Sequence, residues 1–258
     1  MTDRAQVRQD EQAAGLCNNL GFHLDLVGNY RKAQVYYQRA LTICEQVLGE
    51  AHPATALSLN NLGSLLKATG DYKGAKTCYE RTLAICEQML GKTHPDTANS
   101  LNNLGSLLQT TGNYREALGY LERALAIREM MLGEMHPDVA TSVNNLGSLL
   151  QAMGDHRAAQ AYYERALAIC RQTMGEMHLH TATSLNNVGA LLHATGNYEG
   201  AQTYYERALT IREKMLGKAH PDTARSLNNL GSLLHEMNNY KQAQIYYERA
   251  LTRSDSRY

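Results

Sequence analysis

Pairs of adjacent asparagines recur inside apolar, helix-like segments, and their amides are the groups of this sequence best suited to binding chemistry. Residues 58–66, 100–108 and 226–234 all read SLNNLGSLL. An asparagine amide has donors and an acceptor, so it can hydrogen-bond both the N–H and the C=O of an extended peptide. Asparagine is a mediocre helix former whose side chain competes with the backbone, so two adjacent copies in mid-helix indicate a specific role.

The asparagine pairs are spaced by 42 residues, with no insertion or deletion between them. A fixed period of this length indicates a solenoid of stacked repeats. The first asparagine series comprises Asn18, Asn60, Asn102, Asn144, Asn186 and Asn228. The second asparagine series comprises Asn19, Asn61, Asn103, Asn145, Asn187 and Asn229.

Each copy reads as two helices joined by a short turn. In the second copy, apolar residues at helical spacing predict a first helix over 53–68, with Pro53 in its first turn. Gly70 and Asp71 form the predicted turn, and a second helix runs from Tyr72 until Gly91 ends it. We therefore predict an all-α chain: a polar lead-in over 1–13, a single solenoid of six 42-residue repeats over 14–252, and a polar tail over 253–258.

The repeat resembles the tetratricopeptide repeat in the order of its apolar, Leu-Gly, Ala and aromatic positions, here Leu59, Leu62-Gly63, Leu66, Ala75 and Tyr79. That family has a usual period of about 34 residues. The longer repeat, with its L-N-N-L, R-A-L-x-I and L-G-x-x-H-P-x-x-A motifs, is similar to kinesin light chain repeats and bacterial 42-residue arrays. HEAT and armadillo arrays have similar periods but lack Leu-Gly and Ala at these offsets. The resemblance implies a right-handed superhelical solenoid of six antiparallel helix pairs.

The resemblance also implies a concave groove lined by the first helices, with the first asparagine series along its floor. Groove asparagines of kinesin light chains contact cargo peptides, and the alternative here is that these amides bond only within the array or to water. Helical geometry places the second series on the flank that faces a neighbouring repeat. Further groove positions are Ser64, Ser106, Ser148, Ser232, Lys67, Gln109, Gln151, His193, His235 and Arg225.

Charge limits the choice of partner. Only Lys67 and Arg225 are firmly cationic among the groove positions, and three repeats separate them, so the acidic-peptide preference of kinesin light chains does not transfer to this sequence. The whole chain has 25 basic and 25 acidic residues, which gives no long-range attraction to nucleic acid or an anionic membrane. Its polar start and the absence of an apolar run of about 18 residues predict a cytoplasmic protein.

The remaining reactive side chains fit structural roles. His52, His94, His136, His178 and His220 lie one repeat apart, too far to share a metal ion, and we predict that each caps a first helix. His156, His178 and His180 depart from the repeat pattern, and a metal or a hinge at that link is the alternative. The five cysteines read as reduced, partly buried thiols. With no phosphate loop or nucleophile elbow, we expect neither catalysis nor a cofactor.

These patterns favour a protein–protein interaction scaffold that binds an extended segment of an unidentified partner. One alternative is a structural array that stacks end to end or dimerises through uncapped ends, since Arg253 occupies a column otherwise held by isoleucine. Another is a regulatory array cut from a larger signalling protein.

Overall fold

The computed structural model describes the backbone of residues 2–251 and the side chains of residues 10–251. The predicted tail over 253–258, Arg253 included, lies outside the described residues. The segment over 2–13, predicted as a lead-in, is part of the first helix. No helix among the described residues is both long and apolar enough to cross a bilayer.

The described residues form twelve helices and no strand, which confirms the all-α repeat fold. Contacts divide the chain into two compact units, Met1–Met131 and Leu132–Tyr258. The first unit is built from α1 (Thr2–Leu26), α2 (Tyr30–Val47), α3 (Pro53–Ala68), α4 (Tyr72–Met89), α5 (Pro95–Thr110) and α6 (Tyr114–Leu132). The second is built from α7 (Pro137–Ala152), α8 (His156–Met174), α9 (Leu179–Ala194), α10 (Tyr198–Leu216), α11 (Pro221–Glu236) and α12 (Tyr240–Leu251).

A histidine caps the start of each first helix from α3 onward. The Nδ1 of His52 accepts a hydrogen bond from the backbone N–H of Ala54 at 3.1 Å, and four later histidines repeat this bond. His178 does so although Leu179 replaces the proline that follows the other four caps. The predicted capping role is confirmed for all five histidines.

The turn inside each of the first five repeats contains a glycine with positive φ, and Asn238, with a φ of +59°, takes this place in the sixth. Gly70 has a φ of +87°, a conformation that other residues adopt only with strain. Asp71 then caps α4, since its Oδ1 accepts from the N–H of Gly74 at 2.9 Å. α4 thus turns back along α3, as predicted.

Within a repeat, the two helices meet at a glycine. A Cβ on Gly63 would lie 2.9 Å from the ring of Tyr79, so only glycine lets α3 approach α4 this closely. The tyrosines that face inward in this column are buried at Tyr37, Tyr79, Tyr163 and Tyr205. Tyr247 is only half-buried, since no described helix lies beyond α12.

Consecutive repeats are also joined through ion pairs on their second helices. Arg81 contacts Glu45 of the preceding repeat at 2.7 Å, and Arg123 contacts Glu87 at the same distance. These pairs form a charge ladder from repeat to repeat, in which each arginine pairs with the glutamate near the end of the previous second helix.

Candidate functional site

The two asparagine series hydrogen-bond to each other across the junctions between repeats. In each case the Nδ2 of a second-series residue donates to the Oδ1 of the first-series residue one repeat earlier. The junctions are Asn61 to Asn18 at 3.4 Å, Asn103 to Asn60 at 2.7 Å, Asn187 to Asn144 at 3.2 Å and Asn229 to Asn186 at 2.9 Å. We call this arrangement the asparagine clasp; it confirms that the second series lies where repeats meet.

Some first-series asparagines also donate across the junction. The Nδ2 of Asn18 lies 3.0 Å from the Oγ of Ser58, and the Nδ2 of Asn144 lies 3.0 Å from the Oγ of Ser184. An amide has two N–H bonds and two acceptor lone pairs. Asn18 and Asn144 each use one N–H and one lone pair in these contacts, which leaves the other N–H and the other lone pair. Bonding within the array therefore coexists with the capacity to bind a peptide.

Exposure of the first series differs along the chain. Asn18 is buried, with 8% of its surface exposed, whereas Asn228 is exposed. The others are half-buried: Asn60, Asn102, Asn144 and Asn186. Four of the six predicted groove asparagines are thus partly accessible while they sit at the junctions.

Two further predicted groove residues, Lys67 and Gln151, hydrogen-bond to neighbouring side chains. The Nζ of Lys67 donates to the Oγ of Ser106 in the next repeat at 2.7 Å, and burial lowers the pKa of this lysine. Gln151 accepts from the hydroxyl of Tyr163 at 3.0 Å.

In the second unit, the predicted groove cation also has a partner. Arg225 is exposed but contacts Asp222 at 2.9 Å. His193 lies 3.0 Å from Glu236. Neither position presents an isolated positive charge.

The remaining predicted groove positions are placed as follows. Ser148, Ser232 and Gln109 are half-buried, while Ser64 and His235 are exposed. Ser64 also hydrogen-bonds Tyr79.

A cavity of about 330 Å³ opens at the junction between the second and third repeats, where α3, α4 and α5 meet. Apolar side chains and amides line it together. Its walls include Leu57, Asn60, Ile85, Cys86, Met89 and Asn99. The cavity therefore combines an apolar interior with Asn60 of the predicted groove.

A column that sequence reasoning did not assign to the site carries Cys44, Cys86, Arg128, Cys170 and Arg212 at the 42-residue spacing. The three thiols are buried, each 3.5–3.7 Å from a serine of the following repeat. Arg212 is also buried and donates to the corresponding serine, Ser226, at 2.6 Å. Burial, with the nearby Arg225, lowers the pKa of Arg212. Alignment of the copies reveals the alternation of cysteine and arginine in this column, but not that Cys86 lines a cavity.

The histidines at the link between the fourth and fifth repeats stack on each other. The rings of His178 and His180 lie 5.3 Å apart. Within residues 10–251, no three His, Cys, Asp or Glu side chains cluster closely enough to hold a metal ion.

Comparison with solved structures shows the same fold in several proteins. BtubC (BKLC) from P. vanneervenii is 23% identical, with a TM-score of 0.66 over 98% of this chain and 91% of that chain. A putative kinesin light chain from Podosopora anserina with nearly identical TPR-like repeats is 25% identical, with a TM-score of 0.63 over 80% of this chain and 99% of that one. A Rap protein complexed with Competence and Sporulation Factor is 16% identical, with a TM-score of 0.67 over 94% and 75%.

No curated protein sequence matches this chain. The sequence pattern of the tetratricopeptide repeat matches residues 11–88, 59–130, 138–214 and 180–256. These matches cover well over half of the sequence, so the chain belongs to the tetratricopeptide repeat family.

Proposed function

We propose that this protein is an interaction scaffold that holds an extended segment of a partner protein along its first helices. Tetratricopeptide repeats are in general protein–protein interaction modules. The observation that carries the proposal is the cavity at the α3–α5 junction, because the predicted groove residue Asn60 lines it together with Asn99 and Asn103. Amides beside an apolar cavity suit a ligand with a polar main chain and apolar side chains.

Asn60 is the amide best placed for this role. Its Oδ1 accepts from Asn103 at 2.7 Å, which fixes the orientation of the amide. Among residues 10–251, no acceptor lies within hydrogen-bonding distance of its Nδ2. An oriented amide with N–H donors available can bind the main-chain carbonyl of a peptide at little entropic cost.

The charges of the site favour an uncharged segment. The charge of Arg225 is paired with Asp222, whereas Lys67, which donates to the neutral Ser106, is partly buried, and its burial lowers its pKa. An acidic peptide would have to compete with these contacts. The Rap structure, in which a protein of this fold is complexed with Competence and Sporulation Factor, supports the capacity of the fold to hold a partner.

The expected affinity is modest. Each amide bond to a peptide contributes about 0.5–1.5 kcal/mol net. Ordering the peptide offsets much of this gain. A generic segment should bind with a Kd that is micromolar or weaker.

Selection from a displayed random-peptide library, followed by fluorescence polarisation, tests the proposal. Asn60→Ala should weaken selected peptides by about tenfold, which corresponds to roughly 1.4 kcal/mol. Asn229→Ala is the matched control, because it breaks a clasp in the other unit, away from the cavity. Failure to select any peptide, or equal affinity for both variants, would exclude the groove as the binding surface.

Self-association is a second candidate, favoured by one exposed face of α1. Leu16 and Leu20 lie one turn apart and are 69% and 43% exposed. Their equivalents in the next repeat, Ser58 and Leu62, are buried against neighbouring helices. A second copy of the chain could cover this face. Light scattering over a concentration series tests it: dimers that Leu20→Lys dissociates would support self-association, and a monomer throughout would exclude it.

A further inference from the structure

We propose that the residue at the position of Cys86 decides whether a junction can accept a partner side chain, and that the Cys86 cavity takes an uncharged apolar side chain. At the α4–α5 junction Cys86 borders an open cavity, and an arginine in its place would close it. The inference rests on the proposed function and identifies which part of the partner segment is recognised.

Cys86 lies at the open junction. This thiol lines the cavity of about 330 Å³, and its Sγ lies 3.5 Å from the Oγ of Ser100. Leu57 and Met89 also line it and are 56% and 51% exposed, so apolar surface continues outward from the cavity. Such surface is a recurrent mark of a binding site.

Arg212 lies at the closed junction, three repeats further along the sequence and in the other unit. Its side chain is only 2% exposed. It donates to the Oγ of Ser226 at 2.6 Å and to the backbone carbonyl of Asp222 at 3.5 Å. A guanidinium thus occupies the space between the second helix and the following first helix.

The α4–α5 junction already has the acceptors that an arginine would need. Ser100 and Asp96 are the repeat equivalents of Ser226 and Asp222, and both line the Cys86 cavity. An arginine at position 86 would reach the same hydroxyl and carbonyl. Its side chain would then fill the cavity.

The chemistry of the lining selects the occupant. A cavity of about 150 Å³ lined by apolar side chains can hold benzene, so this larger one has room for an aromatic ring or a branched aliphatic group. More than half of its lining residues are apolar, and the lining includes Asp96 but no lysine or arginine. Arg128 contacts Asn99 at 2.6 Å but is not part of the lining. A carboxylate ligand is disfavoured here, and an uncharged apolar side chain is favoured.

Protection of a cysteine thiol from chemical modification tests the site, with 4-fluorotoluene as the probe. The probe should slow modification of Cys86 by 2,2′-dithiodipyridine several-fold, as located by mass spectrometry. Cys78 is an internal control, because it is buried in the same helix but does not line the cavity. Equal slowing at both thiols, or at neither, would overturn the proposal.

Two substitutions test the gate itself. Binding of 4-fluorotoluene should change its ¹⁹F chemical shift. Cys86→Arg should abolish this change, and Cys86→Ser should retain it. Arg212→Cys should create a new thiol that the probe protects, and it recreates a Cys–Ser contact that other repeats already tolerate. An unprotected Cys at 212 in a folded variant would overturn the gate even if Cys86→Arg fails to fold.

Library-selected peptides separate this inference from the proposed function. Loss of peptide affinity in Cys86→Arg but not in Asn60→Ala would support the cavity and refute the amide contact. The reverse result would keep the groove and refute the cavity as its side-chain site.

Discussion

The Nδ2 of Asn103 and the Oδ1 of Asn60 lie 2.7 Å apart, in adjacent repeats and 43 positions apart in the sequence. Three further pairs repeat this bond within the two units. The adjacent asparagines of each motif therefore belong to different junctions, because one bonds backward along the chain and the other bonds forward.

Loss of this bond should destabilise the first unit. Asn103→Ala should lower the free energy of unfolding by about 1 kcal/mol more than Asn19→Ala, a matched change at an exposed position of the same series. The comparison cancels the better helix propensity of alanine. Urea denaturation gives both values, and a cycle with Asn60→Ala should show a coupling of about 1 kcal/mol. Additive effects would show that the bond contributes nothing.

Gly63 should not tolerate a methyl group. Gly63→Ala would place Cβ 2.9 Å from the Tyr79 ring, and such overpacking costs about 1–3 kcal/mol. Gly119→Ala is the control, since Gly119 is exposed inside α6 with no neighbour within 4 Å. It should instead raise stability by roughly 0.5–1 kcal/mol through helix propensity. Thermal denaturation followed by circular dichroism distinguishes the opposite signs.

Leu179 should accept proline. His178 caps α9 with an extended backbone, φ −93° and ψ 150°, which suits a residue before proline. Proline at the first helical position loses no intrahelical bond and restricts the unfolded chain. Leu179→Pro should therefore stabilise the protein by about 0.4–1 kcal/mol relative to Leu179→Ala, as measured in urea. A lower midpoint than that of the alanine variant would contradict this.

Buried tyrosines should make the fold sensitive to alkali. Burial raises the pKa of Tyr79 to about 12, although a hydrogen bond from Ser64 opposes the shift. Because the unfolded chain loses this proton near its ordinary pKa of about 10, stability is full below pH 10 and falls as pH rises toward 12. Tyr79→Phe should reduce the alkaline loss by up to about 2 kcal/mol. Urea titrations from pH 9 to pH 12 measure it, and an unchanged slope would refute it.

Glu176 replaces a missing acid in the charge ladder. Arg171 occupies the column of Glu45 and Glu87, and Glu176 contacts both Arg171 and Arg207, at 3.1 and 3.0 Å. Glu176→Gln should cost up to about 1 kcal/mol at low salt and much less at 1 M salt. Adding Arg171→Glu should recover the loss, because a glutamate there can pair with Arg207 as Glu45 does with Arg81. If stability is not recovered, a glutamate at position 171 is not sufficient to restore the ladder.

The sequence was sufficient to predict the helices but not the contacts between repeats. Pro53 and Gly70 bracket a helix predicted over 53–68, and α3 spans Pro53–Ala68. Such boundaries depend on local backbone preferences that single residues encode. The bond between Asn103 and Asn60 depends on how far one repeat advances over the next, which helical periodicity within a repeat does not specify.

The sequence did not predict the cavity, for a related reason. Cys86 and Arg212 occupy the same column, and alignment of the copies alone shows the substitution. Its meaning depends on the volume enclosed by three helices. The side chain of Arg212, buried at the position where Cys86 borders a cavity, is the observation from which we infer that the column controls that volume.

The asparagine clasp also makes the array modular. Every copy carries both halves of the clasp, one for the preceding junction and one for the following junction. Deleting or duplicating any 42 consecutive residues would therefore join two compatible halves again. Gene duplication could lengthen or shorten such a chain by whole repeats without a new interface, while the proposed exchange of cysteine and arginine in one column would change which side chains a junction accepts.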